Sequence, residues 1–209
     1  MKTIILASSN QHKLKEVRRI FDFYKVLSLR DIGFNKEIVE DGYSFQENAT
    51  IKAQAVMEFI KNTRYRNYAV LAEDSGLCVK ALNYEPGIMS ARYSGSGDEG
   101  NRQKLLKNLL TIQDRTAYFQ CFAVLLMPDG SSYVADGKTY GLITKDKIGD
   151  ESFGYDCIFW SDKLRKTFGQ ATEEEKDSVS HRAIAMVKVK DYLDSIEYMK
   201  NEEDEEEII

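Results

Sequence analysis

Cysteine is scarce in this chain and badly placed for metal chemistry. Cys78, Cys121 and Cys157 stand far apart, so no CxxC pair is available for a thiolate centre. An odd, sparse set of this kind reads as reduced, buried thiols and points to a cytoplasmic protein. Proline is scarcer still: only Pro86 and Pro128 occur, and no Gly/Ser/Pro-rich stretch divides the 209 residues. The longest apolar runs, such as residues 121–127, are too short to cross a bilayer, so no membrane partner is expected. The opening Met-Lys-Thr-Ile-Ile-Leu-Ala-Ser-Ser has the look of a leader, but a charged helical pattern follows at once. It reads as a first strand. A broad basic field is missing as well. The net charge is −5, and six negative charges lie in residues 202–207, leaving +1 on the rest of the chain. Duplex nucleic acid is therefore not an expected partner, and any anionic ligand must be held by a local group of lysines and arginines.

What is present, 43% apolar and 30% charged residues, fits a globular domain. We assign residues 1–195 to it and residues 196–209 to an acidic C-terminal tail, read as a solvated, frayed end. Residues 3–7 read as a buried strand. Leu14, Val17, Ile20, Phe21 and Tyr24 recur at helical spacing across residues 11–24, and residues 25–29 suit a second strand. Residues 44–60 form a further helix, with Ser44 and Glu47 spaced as a capping box. Short strands are expected at 69–72 and 78–81 around an acidic turn, then a helix at 99–110. A hairpin follows, with strands at 118–127 and 131–135 joined through Pro128-Asp129-Gly130, then a strand at 140–144 and one long helix at 172–193. The alternation implies an α/β fold: a mixed central sheet flanked by helices, with a cleft between two lobes.

Five groups of residues have chemistry to offer. Ser8, Ser9, Asn10, Gln11, His12 and Lys13 lie where the first strand gives way to a helix, whose N-terminus suits a phosphate; an ordinary cap would look the same. Glu73, Asp74 and Ser75 precede Gly76; paired acids can hold Mg²⁺ and activate water, although Asp-Ser-Gly is also good turn chemistry. Glu37, Glu40 and Asp41 form an acidic loop ahead of the helix that carries Lys52. In Phe153, Gly154, Tyr155 and Asp156 an aromatic ring can stack on a base and a carboxylate can accept from a purine N–H. Lys176, His181 and Arg182 bring hydrogen-bond donors to the last helix.

The order of these motifs is more specific than any one of them. S-x-N-x-x-K, F-x-E-N-A-x-x-K-A, A-E-D-S-G-L, P-G-x-x-S-A-R-Y-S-G, F-G-Y-D and E-E-K-x-x-x-S-H-R follow one another between about residue 4 and residue 193. The series closely resembles the inosine triphosphate pyrophosphatase family, the Ham-type enzymes that act on non-standard purine nucleotides. The resemblance implies an elongated α/β fold, usually a homodimer, that hydrolyses ITP, dITP and XTP to monophosphate and pyrophosphate with Mg²⁺. It implies that Ser9, Asn10 and Lys13 hold phosphates with Lys52 nearby, that Ser8, Gln11 and His12 belong to the same substrate-binding segment, that Asp74 is both proton acceptor and metal ligand, and that Ser75 touches substrate. Phe153, Gly154, Tyr155, Asp156, Lys176, His181 and Arg182 would surround the base. The sequence departs from the family pattern at two points. Cys157 replaces a proline after F-G-Y-D, and Val39 occupies a position that often holds an acid. Glu40 is then the expected second metal ligand, with Glu73 as the other option. Two other readings fit the same motifs: a nucleotide-binding protein with weakened catalysis, and a Maf-type pyrophosphatase acting on other modified nucleotides.

Overall fold

The computed structural model describes residues 2–151 and 153–206, with side chains as far as residue 196. The strands β1 (Lys2–Leu6), β2 (Tyr24–Leu27), β3 (Ala69–Val79), β4 (Thr116–Leu126), β5 (Ser132–Ile143), β6 (Phe159–Ser161) and β7 (Lys166–Thr167) form one sheet, in the order β2-β1-β3-β4-β5-β6-β7. β1 lies parallel to β2 and β3, and the remaining pairs are antiparallel, so the sheet is mixed. The helices are α1 (Gln11–Ile20), α2 (Phe45–Ile60), α3 (Gly97–Asn108), α4 (Glu173–Asp177) and α5 (His181–Glu206). No helix among the described residues is long and apolar enough to cross a membrane.

The largest difference from the sequence reading lies in β3. Two short strands around a turn were expected; one 11-residue strand runs straight through Asp74-Ser75-Gly76. Ten consecutive register pairs with β4, from Val70↔Leu126 to Val79↔Ala117, override the local turn preference. Gly76 makes the strand possible. A Cβ there would lie 2.3 Å from the Gly87 carbonyl oxygen and 2.5 Å from Ser90 Oγ, because the 3-10 turn Gly87–Arg92 packs directly on it.

Other boundaries also shift. α1 stops at Ile20 and Tyr24 opens β2, with the Phe21 and Tyr24 rings packed edge to face in the turn between them. The strands expected at 131–135 and 140–144 are one strand, β5. The single last helix is two, α4 and α5, because Ser180 Oγ accepts from the Ala183 N–H and starts a new helix. At α2, Ser44 Oγ caps the Glu47 N–H at 3.1 Å, but the Glu47 carboxylate returns to the Tyr43 N–H, so only half of the expected box forms. α5 continues past residue 195, the expected edge of the domain; the side chains of the acidic segment lie outside those described.

The apolar faces of these elements build three cores. Leu14 and Val17 of α1 pack with Met186 and Val189 of α5 on one sheet face. Ala49, Ala53 and Val56 of α2 cover the other. A third core gathers Leu105 of α3 with Leu77 and Phe119 at the far ends of β3 and β4. β3 runs from the first pair of cores into the third, which places Asp74 at the junction.

Candidate active site

β1 pairs with β3 only through Ile4–Leu6 and Ala69–Leu71 before the chain turns into α1. A cavity of about 320 Å³ lies beside the part of β3 beyond that pairing. Carboxyl ends of parallel strands are where open α/β sheets take ligands.

Alternation along β3 sends its two acids to opposite faces of the sheet. Asp74 faces α2. Its carboxylate accepts from Asn48 Nδ2 and from Lys52 Nζ, each at 3.3 Å. Lys52 Nζ also bonds Glu40 Oε2 at 2.8 Å, so two carboxylates from different segments converge on one cation. Val39 is 69% exposed, while Glu40 lines the cavity. Glu37 and Asp41 do not line it. Glu73 faces α1 and α5 instead, with Lys13 Nζ at 2.6 Å and Arg182 Nε at 3.6 Å. The two adjacent acids therefore have different direct partners, Lys52 and Asn48 for Asp74, Lys13 and Arg182 for Glu73.

At the start of α1, Asn10 Oδ1 accepts from the His12 and Lys13 N–H groups at 3.0 and 3.2 Å. The cap thus consumes two of the helix donors expected to be free for a phosphate. Asn10, His12 and Lys13 line the cavity, whereas Ser8, Ser9 and Gln11 do not. Ser8 Oγ accepts the Asn10 N–H, and the Gln11 amide donates to the Ser9 carbonyl.

Beside the start of α1, Phe153 presents a ring stacked on His12, with centroids 4.7 Å apart, and Lys176 Nζ lies 5.1 Å from its centroid. Lys176 donates to Asp156 Oδ2 at 2.6 Å. Tyr155 is buried, and its hydroxyl donates to the Ser90 carbonyl at 2.8 Å. Gly154 is held through its N–H by Asp98 and through its carbonyl by Arg102, both at 2.7 Å. His181 stacks on Phe119 at 4.7 Å and 11°, and its Nδ1 has no hydrogen-bond partner among the described residues. Arg182 donates to Ser75 Oγ at 2.9 Å and to Glu16.

Glu16, Asn48 and Asp98 were not singled out from the sequence. Glu16 stands three residues after Lys13, on the same side of α1, and Asn48 stands four before Lys52 in α2. Helical spacing from each chosen lysine is the signal that reaches them. Asp98 and Arg102 bridge segments more than 45 residues apart, and no local pattern announces that.

Burial and charge compete in these groups. Burial raises the Asp74 carboxyl above its ordinary value, against the pull of Lys52. Burial pulls Lys52 down, but Asp74 and Glu73 outweigh it and raise the ammonium. Burial, with Arg182 beside it, takes His181 well below the usual imidazole range, so the ring is neutral. Burial pushes Glu16 up, but Arg182 and Lys176 dominate and hold it at about 2. A carboxylate held below its ordinary value of 4.5 stabilises the fold above that pH, and the contribution is lost as pH falls toward about 2. Glu16→Gln, which leaves Arg182 short of a buried partner, is expected to lower stability at pH 7 by about 3 kcal/mol. Urea melts at pH 7 and pH 3 check this: the gap to the wild type should narrow on acidification, and a constant gap refutes it.

The model of the Ham1 family matches residues 4–192. The chain belongs to the Ham1 family. A Clostridium perfringens protein named dITP/XTP pyrophosphatase is 43% identical, over 94% of this chain and 99% of its own length. A Staphylococcus epidermidis protein of the same name is 38% identical, over 95% and 100%. The solved structure of the Staphylococcus aureus Ham1 protein superposes with a TM-score of 0.81 at 39% identity, covering 93% of this chain and 99% of that one. A Coxiella burnetii HAM1 protein gives the same TM-score at 32% identity. The mixed seven-stranded sheet with flanking helices is thus the Ham1 fold, and the cavity beside β3 lies within the matched residues.

Proposed function

We propose that this Ham1-family chain hydrolyses non-standard purine nucleoside triphosphates, dITP, ITP and XTP, to the monophosphate and pyrophosphate. The names of its relatives support that reaction. The observation that carries it is a cavity lined both by a carboxylate-and-lysine cluster and by an aromatic ring beside a donor–acceptor pair.

Lys13 and Lys52 neutralise the triphosphate, with Asn10 and His12 beside it. Glu40 and Asp74, which share one cation at 2.8 and 3.3 Å, make an oxygen donor set that fits a hard divalent ion. Mg²⁺ held there with phosphate oxygens would offset charge on the leaving pyrophosphate. Asp74, its carboxyl raised by burial, accepts the proton of the water whose oxygen attacks the α-phosphorus; the bond to the bridging oxygen breaks, and pyrophosphate departs.

The base stacks at Phe153. Hypoxanthine and xanthine present a 6-keto acceptor beside an N1–H donor, which matches the Lys176 ammonium and the Asp156 carboxylate. Adenine presents the reverse pattern and leaves buried charge unpaired, a penalty that can reach orders of magnitude. Neutral His181 adds one further hydrogen-bonding nitrogen. The same reading carries a cytoplasmic homodimer whose catalytic unit spans residues 1–195.

Pyrophosphate release from dITP, ITP, XTP, dUTP, GTP and ATP tests the proposal. Release from the first three with Mg²⁺, abolished by excess EDTA and restored by Mg²⁺, is expected. Nucleotide binding without release would reduce the chain to a binding protein, and a preference for pyrimidine nucleotides would replace the purine reading.

A further inference from the structure

Lys13 and the Lys176–Asp156 pair, all in the cavity lining, are joined by a buried row of alternating charge. Lys13 Nζ lies 2.6 Å from Glu73 Oε1. Glu73 Oε1 lies 3.6 Å from Arg182 Nε. The Arg182 guanidinium bonds Glu16, and Glu16 Oε1 lies 3.1 Å from Lys176 Nζ. Lys176 in turn bonds Asp156. The side chains of Glu73, Arg182 and Glu16 are 1%, 3% and 8% exposed. The row draws on α1, β3, the segment before β6, the last turn of α4 and the start of α5, segments far apart in sequence.

We propose that Glu73 and Glu16 are positioning residues that tie the phosphate-holding Lys13 to the base-reading Lys176–Asp156 pair through Arg182, so that base identity and triphosphate are recognised jointly. This rests on the function proposed above. An ammonium has three N–H donors, so Lys13 can keep Glu73 and still serve a phosphate. Apolar packing at these positions commonly stabilises a fold as well as or better than buried ion pairs, so the fold alone gives little reason for the row. In a medium of low dielectric each pair polarises the next, and a displacement at one end is felt along the row. Arg182 also bonds Ser75, the neighbour of Asp74, so the row is anchored to the strand that carries the catalytic group. The Cys121 thiol, kept protonated by burial, lies 3.5 Å from Glu73 Oε2 and completes its surroundings.

The test is a double-mutant cycle on the full chain, read as the ratio of kcat/KM for dITP to that for dATP. Lys13→Met, which leaves the Lys176–Asp156 pair itself in place, should lower this ratio by about tenfold, the scale of one charge-assisted hydrogen bond. Glu73→Gln should lower it by a similar factor and raise KM for dITP. In the Glu73→Gln background, Lys13→Met should change the ratio no further. A merely structural Glu73 would lower Tm and leave the ratio alone, and that outcome overturns the proposal. If Glu73→Gln does not fold, Lys13→Met decides by itself: an unchanged ratio overturns the coupling. Absence of pyrophosphate release by the wild type, in contrast, would be a failure of the proposed function.

Discussion

Asp74→Asn is expected to lower kcat for dITP by at least ~10²-fold, the scale of a lost general base. The substitution preserves shape and removes one negative charge. Asp74 pairs with Phe122 through the backbone of β3 and β4, and that pairing is indifferent to the side chain. Lys52 keeps its bond to Glu40, so it is not left as a lone buried cation. A neutral amide is also easier to bury than a carboxylate whose ionised form burial already disfavours. The fold should therefore survive, with Tm equal to or slightly above that of the wild type. The amide cannot accept the proton of the attacking water, and it weakens the oxygen donor set shared with Glu40. Pyrophosphate release at saturating dITP, measured beside a thermal melt, gives both numbers. Turnover near the wild-type rate would remove Asp74 from the chemistry.

Gly137→Ala should be a damaging small substitution outside the cavity. Gly137 lies on β5, where the start of α5 crosses the sheet. An added Cβ would stand 2.1 Å from the His181 carbonyl oxygen and 2.8 Å from the Ala185 nitrogen. Both are backbone atoms, so no side-chain rotation relieves the overlap, and the first turn of α5 must move. That turn carries His181 and Arg182. Overpacking of this kind costs about 1–3 kcal/mol, and a shift of about 1 Å in a site can cost ~10²-fold in rate. A lower Tm together with a fall in kcat/KM for dITP is expected. Unchanged values of both would mean that α5 is free to slide on the sheet without consequence.

Much of the site was legible in the sequence because its motifs fall at the ends of elements that the sequence also marks. Asn10 caps α1 and Ser44 caps α2, and the side-chain bonds that do so follow from local spacing. Lys13 and Lys52 sit at fixed helical offsets from those caps. The turn assigned around Asp74 failed for a physical reason: Asp-Ser-Gly prefers a turn when alone, but β4 offers ten pairing partners and Gly76 lets another segment pack on the strand. The choice between Glu40 and Glu73 as the carboxylate beside Asp74 could not be made from spacing, because Glu40 lies in a loop without regular structure. The bond from Lys52 to Glu40 decides which side chain faces the cavity.

By itself the sequence determined the class of fold, the family resemblance and the kinds of group in the site, because apolar periodicity, caps and ordered motifs are properties of neighbours along the chain. Only the tertiary structure decided how the charges are shared. Glu73 and Asp74 are adjacent in sequence, yet the pleat of β3 sends one to Lys13 and Arg182 and the other to Lys52 and Asn48. Glu16, an unremarked helix residue, becomes the partner of Arg182 across 166 positions. Ion pairs in a low-dielectric interior depend on distance and burial, which packing alone sets.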